Sequence, residues 1–170
     1  GGIVRTVNNG VTFQPVFDTY GSCSIGDIAV APSDPKIVWA GTGESNPRNS
    51  VSYGDGVYKS TDGGATWAHM GLKETFQVGA VLIHPKNPDV VYVGAMGRLW
   101  GRSRERGMYK TTDGGKTWTN VLFVNDRTGV IDAVMDPRNP DVIYAATWER
   151  MRGPYDSYPG SSPRLPDGID

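Results

Sequence analysis

Short apolar runs, punctuated by glycine and proline, make up most of the chain. The runs GDIAVAP, KIVWAGTG, GVYKST and TWAHM follow one another between residues 26 and 70. A turn containing proline and aspartate separates the first two runs, a variable loop separates the second from the third, and a DGG turn separates the last two. Apolar residues do not recur with the period of a helix, so the pattern predicts many short β-strands.

The same order of runs recurs along the chain. The segment VAPSDPKIVWAGTGE at 30–44 aligns with IHPKNPDVVYVGAMG at 83–97 and with MDPRNPDVIYAATWE at 135–149. A second line aligns GVYKSTDGGATW at 56–67 with GMYKTTDGGKTW at 107–118, and more weakly with GIVRTVNNGVTF near the start of the chain. One unit of about 50 residues therefore repeats, and four strands at this period are typical of β-propeller blades.

The sequence predicts an all-β fold of propeller blades with four antiparallel strands each. Residues 1–18 would supply the last two strands of one blade, residues 19–71 and 72–124 one complete blade each, and residues 125–170 the first two strands of another blade with a long loop. Closed propellers need about four to eight blades, and the chain supplies only about three, so we expect it to be a piece of a larger propeller. We expect that propeller to have about six to ten blades. The parent chain or another chain would supply the remaining blades. An abbreviated packing of three blades is the alternative.

Two nearly identical octets, STDGGATW at 60–67 and TTDGGKTW at 111–118, join the last two strands of the complete blades. Glycine permits the positive φ of such a turn, aspartate accepts main-chain N–H groups across it, threonine adds a hydroxyl bond, and tryptophan packs between neighbouring sheets. We assign these structural roles to Asp62, Gly64, Thr66 and Trp67 and to Asp113, Gly115, Thr117 and Trp118. A catalytic or calcium-binding role is the alternative, but Ca²⁺ needs about six to eight oxygens and each octet offers one carboxylate.

The pattern S/T-x-D-x-G-x-T-W/F in these octets is the Asp-box, and the whole chain resembles the Asp-box (BNR-repeat) propellers. That superfamily includes sialidases, xyloglucan-cleaving glycoside hydrolases and the luminal domains of sortilin and Vps10. Through GTGESNPRNSVSYGDGVYKSTDGG at 41–64, the chain is most similar to bacterial sortilin-like and glycosyl-hydrolase-like BNR-repeat proteins. The resemblance implies the propeller fold. It does not imply one activity, because such relatives include enzymes, receptors and assembly factors.

Composition narrows the range of partners. The 170 residues carry 17 basic and 18 acidic side chains and a net charge of −1, so no overall field favours nucleic acid or an anionic membrane surface. No segment approaches the roughly 18 apolar residues of a membrane span. The single cysteine, Cys23, can form no intrachain disulfide and is expected to be a small buried residue. We expect neither a metal site nor another cofactor.

The segments that differ between the repeats are expected at the end of the blades opposite the octets. Variable loops on a rigid scaffold usually carry function. These loops concentrate arginine, carboxylate and aromatic side chains, a mixture that suits a glycan or an extended peptide. We predict ligand contacts from Glu44, Arg48, Arg98, Trp100, Arg102, Trp148, Glu149 and Arg150. A solvated arginine-rich rim is the alternative.

Two carboxylates occupy matching positions near the start of the first strand of a blade. Asp27 and Asp132 align with each other and with Ala80, and we expect both carboxylates to face a shared pore. Glycoside hydrolysis needs such a pair, at about 5–5.5 Å or about 6.5–9.5 Å. Glu44 and Glu149 form a second candidate pair. The alternative is that each aspartate accepts main-chain N–H groups at its own turn.

The sequence therefore favours a binding segment of a secreted BNR-repeat protein, extracellular or periplasmic, that recognises a glycan or an extended peptide through the variable loops. A glycoside hydrolase with paired carboxylates at the propeller mouth is the runner-up. A purely structural set of blades within a multidomain protein is the third possibility.

Overall fold

Strands account for nearly all of the regular structure in the chain. The computed structural model describes residues 1–46 and 50–152. A short 3-10 turn, Lys73–Thr75, lies between the sixth and seventh strands. The strands are β1 (Val4–Arg5), β2 (Gln14–Pro15), β3 (Ile25–Val30), β4 (Val38–Thr42), β5 (Val57–Ser60), β6 (Ala68–His69), β7 (Val78–Ile83), β8 (Val91–Ala95), β9 (Gly107–Thr111), β10 (Thr119–Leu122), β11 (Thr128–Met135) and β12 (Ile143–Glu149).

Antiparallel pairing organises these strands into four sheets. The second and third sheets have four strands each, in the orders β3-β4-β5-β6 and β7-β8-β9-β10, so neighbours in sequence are neighbours in space. The first and fourth sheets are the two-stranded pairs β1-β2 and β11-β12. The all-β fold with four-stranded antiparallel units is confirmed. The residue boundaries of the four blade segments stay a prediction.

The first strand of one sheet approaches the first strand of the next sheet backbone to backbone. A β-bulge lies at Gly26 in β3 and another at Gly79 in β7. A Cβ atom on Gly26 would lie 2.0 Å from the carbonyl oxygen of Val78, and one on Gly79 would lie 2.4 Å from that of Ile131. Glycine is therefore required at these two positions because a side chain would push the sheets apart.

Apolar side chains fill the spaces between successive sheets. Between the second and third sheets, the buried residues are Ala31, Trp39, Val57, Val78, Val81, Ile83, Val91 and Val93. Between the first and second sheets, they are Phe17, Val38, Ala40, Tyr58 and Trp67. Because the first of these clusters draws on both of its sheets, a single blade would leave an apolar face in water, and stacking of the blades stabilises the repeat.

Each tryptophan that ends an octet reaches back to the preceding sheet. The indole N–H of Trp67 donates to the carbonyl oxygen of Val16 at 3.0 Å, and that of Trp118 donates to the carbonyl oxygen of Met70 at 2.8 Å. The ring of Trp118 also meets Trp39 edge to face, with centroids 5.8 Å apart. The same side chain thus supplies both apolar burial and a polar link between sheets.

A basic residue makes the reciprocal contact from each preceding sheet. Arg5 Nη1 donates to the carbonyl oxygen of Gly63 at 2.8 Å, and Lys59 Nζ donates to that of Gly114 at 3.4 Å. The two basic residues occupy the same point of the repeat, in β1 and β5. Hydrogen bonds in both directions therefore join successive sheets at the octet turns.

The turns divide between two opposite ends of the sheets. At one end, the Gly63 N–H donates to the carbonyl oxygen of Lys36 at 2.8 Å, which joins an octet to the turn between the first two strands of its blade. At the other end, the Gly54 N–H donates to the carbonyl oxygen of Phe76 at 2.7 Å, which joins two of the variable loops. We call the first end the Asp-box pole and the second end the loop pole.

The outermost sheets expose large apolar side chains. Val4 in β1, Val134 in β11 and Tyr144 in β12 are 61%, 59% and 65% exposed. Exposure of this kind on a sheet face favours cover by further protein, as in a larger propeller. No helix within the two described ranges is long and apolar enough to cross a membrane.

Replacing Trp118 by phenylalanine should lower the free energy of unfolding by about 1 kcal/mol, because the ring stays while its hydrogen bond to Met70 is lost. Trp118→Ala should cost about 3 kcal/mol, since the packing against Trp39 is lost as well. The matched control is Trp148→Phe, at an exposed tryptophan, with a change below about 0.5 kcal/mol. Urea unfolding measures all three variants, and a Trp118→Phe protein as stable as the parent would contradict the link.

Candidate functional site

The Asp-box pole uses its carboxylates within the turns themselves. Asp62 Oδ1 accepts the main-chain N–H groups of Ala65 and Thr66, each at 2.9 Å, and Oδ2 accepts the Thr66 hydroxyl at 2.6 Å. The Ser60 hydroxyl donates to Oδ1 at 2.8 Å. The hydrogen bonds from Thr66, followed by that from Ser60, hold the pKa of Asp62 far below its usual range.

The second octet repeats this arrangement. Asp113 accepts the main-chain N–H of Thr117 at 3.0 Å, the Thr117 hydroxyl at 2.6 Å and the Thr111 hydroxyl at 2.7 Å. The bonds from Thr117 lead the causes that lower the pKa of Asp113. Gly64 and Gly115 have φ values of 87° and 93°, as the turn requires. Over the two described ranges, no group of three or more His, Cys, Asp and Glu side chains could hold a metal ion.

A groove of about 400 Å³ runs between the two octets at the Asp-box pole. Lys59, Thr66, Trp67, Asp113 and Lys116 contribute to its walls. Lys59 is already bound on two sides, because its Nζ lies 3.6 Å from Asp89 Oδ1 as well as near the Gly114 carbonyl. Lys59 thus serves a contact between the sheets, whereas Thr66 and Asp113 bond within their own turns.

The two aspartates predicted to be catalytic bond to the main chain. Asp27 Oδ1 accepts the N–H of Ile28 at 2.8 Å, and Oδ2 accepts the N–H of Val81 in the next sheet at 2.7 Å. Asp132 Oδ1 accepts the N–H of Ala133 at 2.8 Å. Asp27 thus links two sheets, a contact that no local sequence pattern could indicate. A catalytic role for this pair stays a prediction.

A buried arginine organises the loop pole. Arg106 has no exposed surface. Its Nη2 donates to the carbonyl oxygen of Arg98 at 2.6 Å and to that of Gly101 at 3.3 Å. Nη1 donates to the Met96 carbonyl, and Nε donates to the Asp126 carbonyl at 2.9 Å. Burial lowers the pKa of this guanidinium, whereas the charge of Asp126 acts in the opposite direction. The planar fork holds the loop at 96–106 by its main chain.

A second buried arginine joins this pole to the fourth sheet. Arg150 is only 3% exposed, and its Nη2 donates to the carbonyl oxygen of Asn46 at 3.2 Å. Its Nε and Nη1 have no hydrogen-bond partner among the described residues. Burial, then the charges of Arg106 and Arg152, lower the pKa of Arg150 to about 10, and Glu44 opposes them. Arg150, which the sequence predicts as a ligand contact, is therefore buried, and its hydrogen bond to Asn46 joins the segment after β12 to the loop after β4.

The other residues predicted to bind ligand have varied surroundings. Glu44 Oε2 accepts the Ser52 N–H at 3.3 Å, and Trp100 pairs with Arg152 through a main-chain bridge. Arg102 forms an ion pair with Asp126, with Nη1 3.4 Å from Oδ2, and Glu149 forms an ion pair with Arg127. Arg98 lies over the ring of Phe76, and Trp148 lies near Arg150. Arg48 lies outside the described residues.

Sequence reasoning missed several features of the loop pole. Cys23 was expected to be buried but is exposed, because it lies in a loop between sheets rather than in a strand. Phe76 carries no motif, yet it contacts both Tyr53 and Arg98. The burial of Arg106 could not be predicted either, because the sequence of a charged loop does not distinguish a buried arginine that holds the loop from an exposed one that contacts a ligand.

Comparison with known proteins places this chain in a family of Asp-box propellers. The family described as "Sortilin, neurotensin receptor 3" (Sortilin-Vps10) matches residues 1–153. The chain belongs to this family.

Curated relatives include xyloglucanases. The chain is 28% identical over 123 residues to a probable oligoxyloglucan-reducing end-specific xyloglucanase of Neosartorya fischeri. This alignment covers 69% of the chain and 14% of that protein. The chain is also 32% identical over 104 residues to a xyloglucanase of Hypocrea jecorina, in an alignment that covers 55% of the chain and 11% of that protein. The chain thus spans a small part of the length of the curated relatives it matches.

Solved structures share the fold. An ancestral GH74 enzyme superposes with a TM-score of 0.66 at 20% identity, over 92% of this chain and 22% of its own. The GH74 enzyme of Niastella koreensis superposes with a TM-score of 0.64 at 23% identity, over 86% of this chain and 22% of its own. The chain is a segment of a larger β-propeller, as predicted. The number of blades in the whole stays a prediction.

The Asp-box carboxylates should make stability depend on pH in the acid range. Their pKa in the folded protein lies below the value of about 3.9 in an unfolded chain, so their stabilising effect is complete above that value and is lost as the pH falls below it. Asp62→Asn should therefore lower the melting temperature at pH 7, and the difference from the parent should shrink between about pH 5 and about pH 2.

The control for this experiment is Asp18→Asn, at an exposed aspartate outside the octets. Thermal unfolding followed by circular dichroism over the same pH range compares the three proteins. A difference between Asp62→Asn and the parent that stays constant down to pH 2 would mean that the carboxylate does not stabilise the turn through its charge.

Arg106→Lys should loosen the loop at 96–106 while keeping the positive charge. One ammonium group cannot reach the same set of carbonyl oxygens, and leaving buried acceptors unpaired should cost about 3 kcal/mol. Hydrogen exchange should become faster in this loop, and urea unfolding should report the lower stability. Arg104→Lys, at an exposed arginine of the same loop, should leave both measurements unchanged. Equal rates of hydrogen exchange in this loop for the two variants would show that Arg106 does not hold the loop in place.

Proposed function

We propose that this chain is a glycan-recognising segment of a larger propeller and that the loop pole is its binding surface. The observation that carries the proposal is the convergence of loops from successive sheets at this pole. Arg106 holds one of these loops through its carbonyl oxygens, and Arg150 joins two others through Asn46. Such internal support fixes the loops before a ligand arrives, which reduces the entropy lost on binding.

The exposed side chains on these loops suit sugars. Tyr53 on one loop and Trp148 at the end of β12 are 45% and 40% exposed. Arg98 and Arg102 on a neighbouring loop, and Glu149 at the end of β12, are exposed as well. Aromatic rings can cover the apolar face of a pyranose, while guanidinium and carboxylate groups can bond its hydroxyls. The octets at the other pole offer fewer unused groups, because their carboxylates accept hydrogen bonds within the turns.

The names of the curated relatives support a glycan rather than a peptide. Three of them are described as xyloglucanases or as oligoxyloglucan-reducing end-specific xyloglucanases. An extended peptide is the competing ligand, and a peptide that binds where xyloglucan does not would replace this proposal. An extracellular or periplasmic location, completion of the propeller by further blades, and the absence of nucleic acid among the partners stay predictions.

Glycoside hydrolysis is a second candidate, and the same relatives favour it. In the whole protein, Asp27 and Asp132 would be the carboxylates to test, followed by Glu44 and Glu149. Asp27 also has a structural role, because its carboxylate accepts the Val81 N–H from the next sheet. Release of reducing ends from xyloglucan that is lost in Asp27→Asn and Asp132→Asn, with both variants still folded at the assay temperature, would support catalysis. Activity that survives in both variants would exclude this pair.

Binding to a xyloglucan oligosaccharide, measured by calorimetry, tests the first proposal. Arg98→Ala should weaken binding about tenfold, the loss expected for one hydrogen bond from a charged group. Lys116→Ala, at an exposed lysine of the Asp-box pole, is the matched control and should bind as the parent does. If Lys116→Ala weakens binding and Arg98→Ala does not, the ligand binds at the wrong pole for this proposal.

A further inference from the structure

The backbone at Phe76 has an uncommon conformation for a residue with a side chain. Its φ is 57° and its ψ is −37°. The Gln77 N–H donates to the carbonyl oxygen of Thr75 at 2.6 Å, so a three-residue turn closes around Phe76. A γ-turn with positive φ is rare and strained. Strained backbone of this kind persists where the surroundings determine it, and it is enriched at functional sites.

Contacts from several loops hold this turn in place. The Phe76 carbonyl oxygen accepts the N–H of Gly54 at 2.7 Å, and the Gln77 carbonyl oxygen accepts the N–H of Met96 at 2.8 Å. The Thr75 hydroxyl donates to the Leu72 carbonyl at 2.7 Å. The loops after β4, β6 and β8 therefore meet at Phe76, and the turn cannot relax without moving its neighbours.

As a result of this geometry, three side chains meet at the loop pole. The Phe76 ring meets the Tyr53 ring at a centroid distance of 5.5 Å and an angle of 63°. The guanidinium carbon of Arg98 lies 5.2 Å from the Phe76 centroid. Phe76 is half-buried beneath these contacts, whereas Tyr53 and Arg98 are exposed.

The main chain of both exposed members is also fixed. The Ser22 hydroxyl donates to the Tyr53 carbonyl oxygen at 3.2 Å, and Arg106 donates to that of Arg98 at 2.6 Å. Tyr53 and Arg98 lie on loops of different sheets and share Phe76 as their common neighbour. This construction matches what a preformed binding site needs, because its contact groups are held by packing before the ligand arrives.

We infer that Tyr53, Phe76 and Arg98 form a subsite for one pyranose ring. Tyr53 offers an aromatic surface to the C–H face of the sugar, and the guanidinium of Arg98 donates to neighbouring hydroxyl oxygens. Phe76 is a positioning residue, since it sets the separation of the other two and acts on the ligand through them. This inference rests on the proposed function and adds the sugar-binding residues to it.

Affinity for a xyloglucan oligosaccharide, measured by calorimetry with the full chain, tests the subsite. Tyr53→Ala should weaken binding about tenfold, whereas Tyr53→Phe should stay within about twofold of the parent because the ring remains. Phe13→Ala is the matched control, because Phe13 is an exposed ring immediately before β2, at the position that corresponds to the octet tryptophans. It should leave the affinity unchanged.

Phe76 needs a variant that separates positioning from folding. Phe76→Gly suits the positive φ, so it should melt at a higher temperature than Phe76→Ala. Both variants should nevertheless bind about tenfold more weakly than the parent, and Phe76→Tyr should restore binding to within about twofold. A residue with a structural role alone would instead show affinities that follow the melting temperatures.

The outcomes distinguish this inference from the proposed function. If the parent binds xyloglucan oligosaccharide and Phe76→Gly and Tyr53→Ala bind it equally well, the subsite is wrong while glycan recognition stands. If the parent binds neither xyloglucan nor cello-oligosaccharides, both proposals fail. Weaker binding in both variants, with binding kept in Phe13→Ala and recovered in Phe76→Tyr, supports the subsite.

Discussion

The contact of each Asp-box tryptophan with the preceding sheet, made by ring packing and by an indole hydrogen bond, is the interaction on which the rest of the structure depends. A four-stranded blade has two apolar faces, so its stability comes from its neighbours. The indole of Trp118 meets this need twice, by packing against Trp39 and by donating to the Met70 carbonyl. Lys59 returns a bond in the other direction. Asp113 contributes indirectly, because it fixes the turn from which the tryptophan emerges.

The contacts that stack the blades lie at the Asp-box pole, whereas the proposed binding surface lies at the loop pole. At the Asp-box pole, most polar groups bind their own turn or the adjacent sheet, so little is left for a ligand. At the loop pole, buried Arg106 and Arg150 occupy the interior and hold loops by their carbonyl oxygens. Exposed groups such as Tyr53 and Arg98 then stand on a fixed base. Function can therefore vary at one pole without disturbing the contacts that stack the blades.

The repeated parts of the molecule could be predicted from sequence because they are local. Asp62 and its partners lie within a few residues of one another, so the octet specifies its own turn. The long-range parts could not be predicted in this way. The bond between the Val81 N–H and Asp27 depends on how two sheets approach, and the positive φ of Phe76 is imposed by loops distant in sequence. The sequence predicts Arg150 as a ligand contact, but its burial arises from the packing of loops around it.

A crystal structure of this chain with a xyloglucan oligosaccharide tests most directly whether the blades are joined at one pole and bind ligand at the other. We expect a sugar ring beside Tyr53 and Arg98, and no sugar in the groove between Lys59 and Asp113. Sugar bound in that groove, with the loop pole unoccupied, would contradict the account.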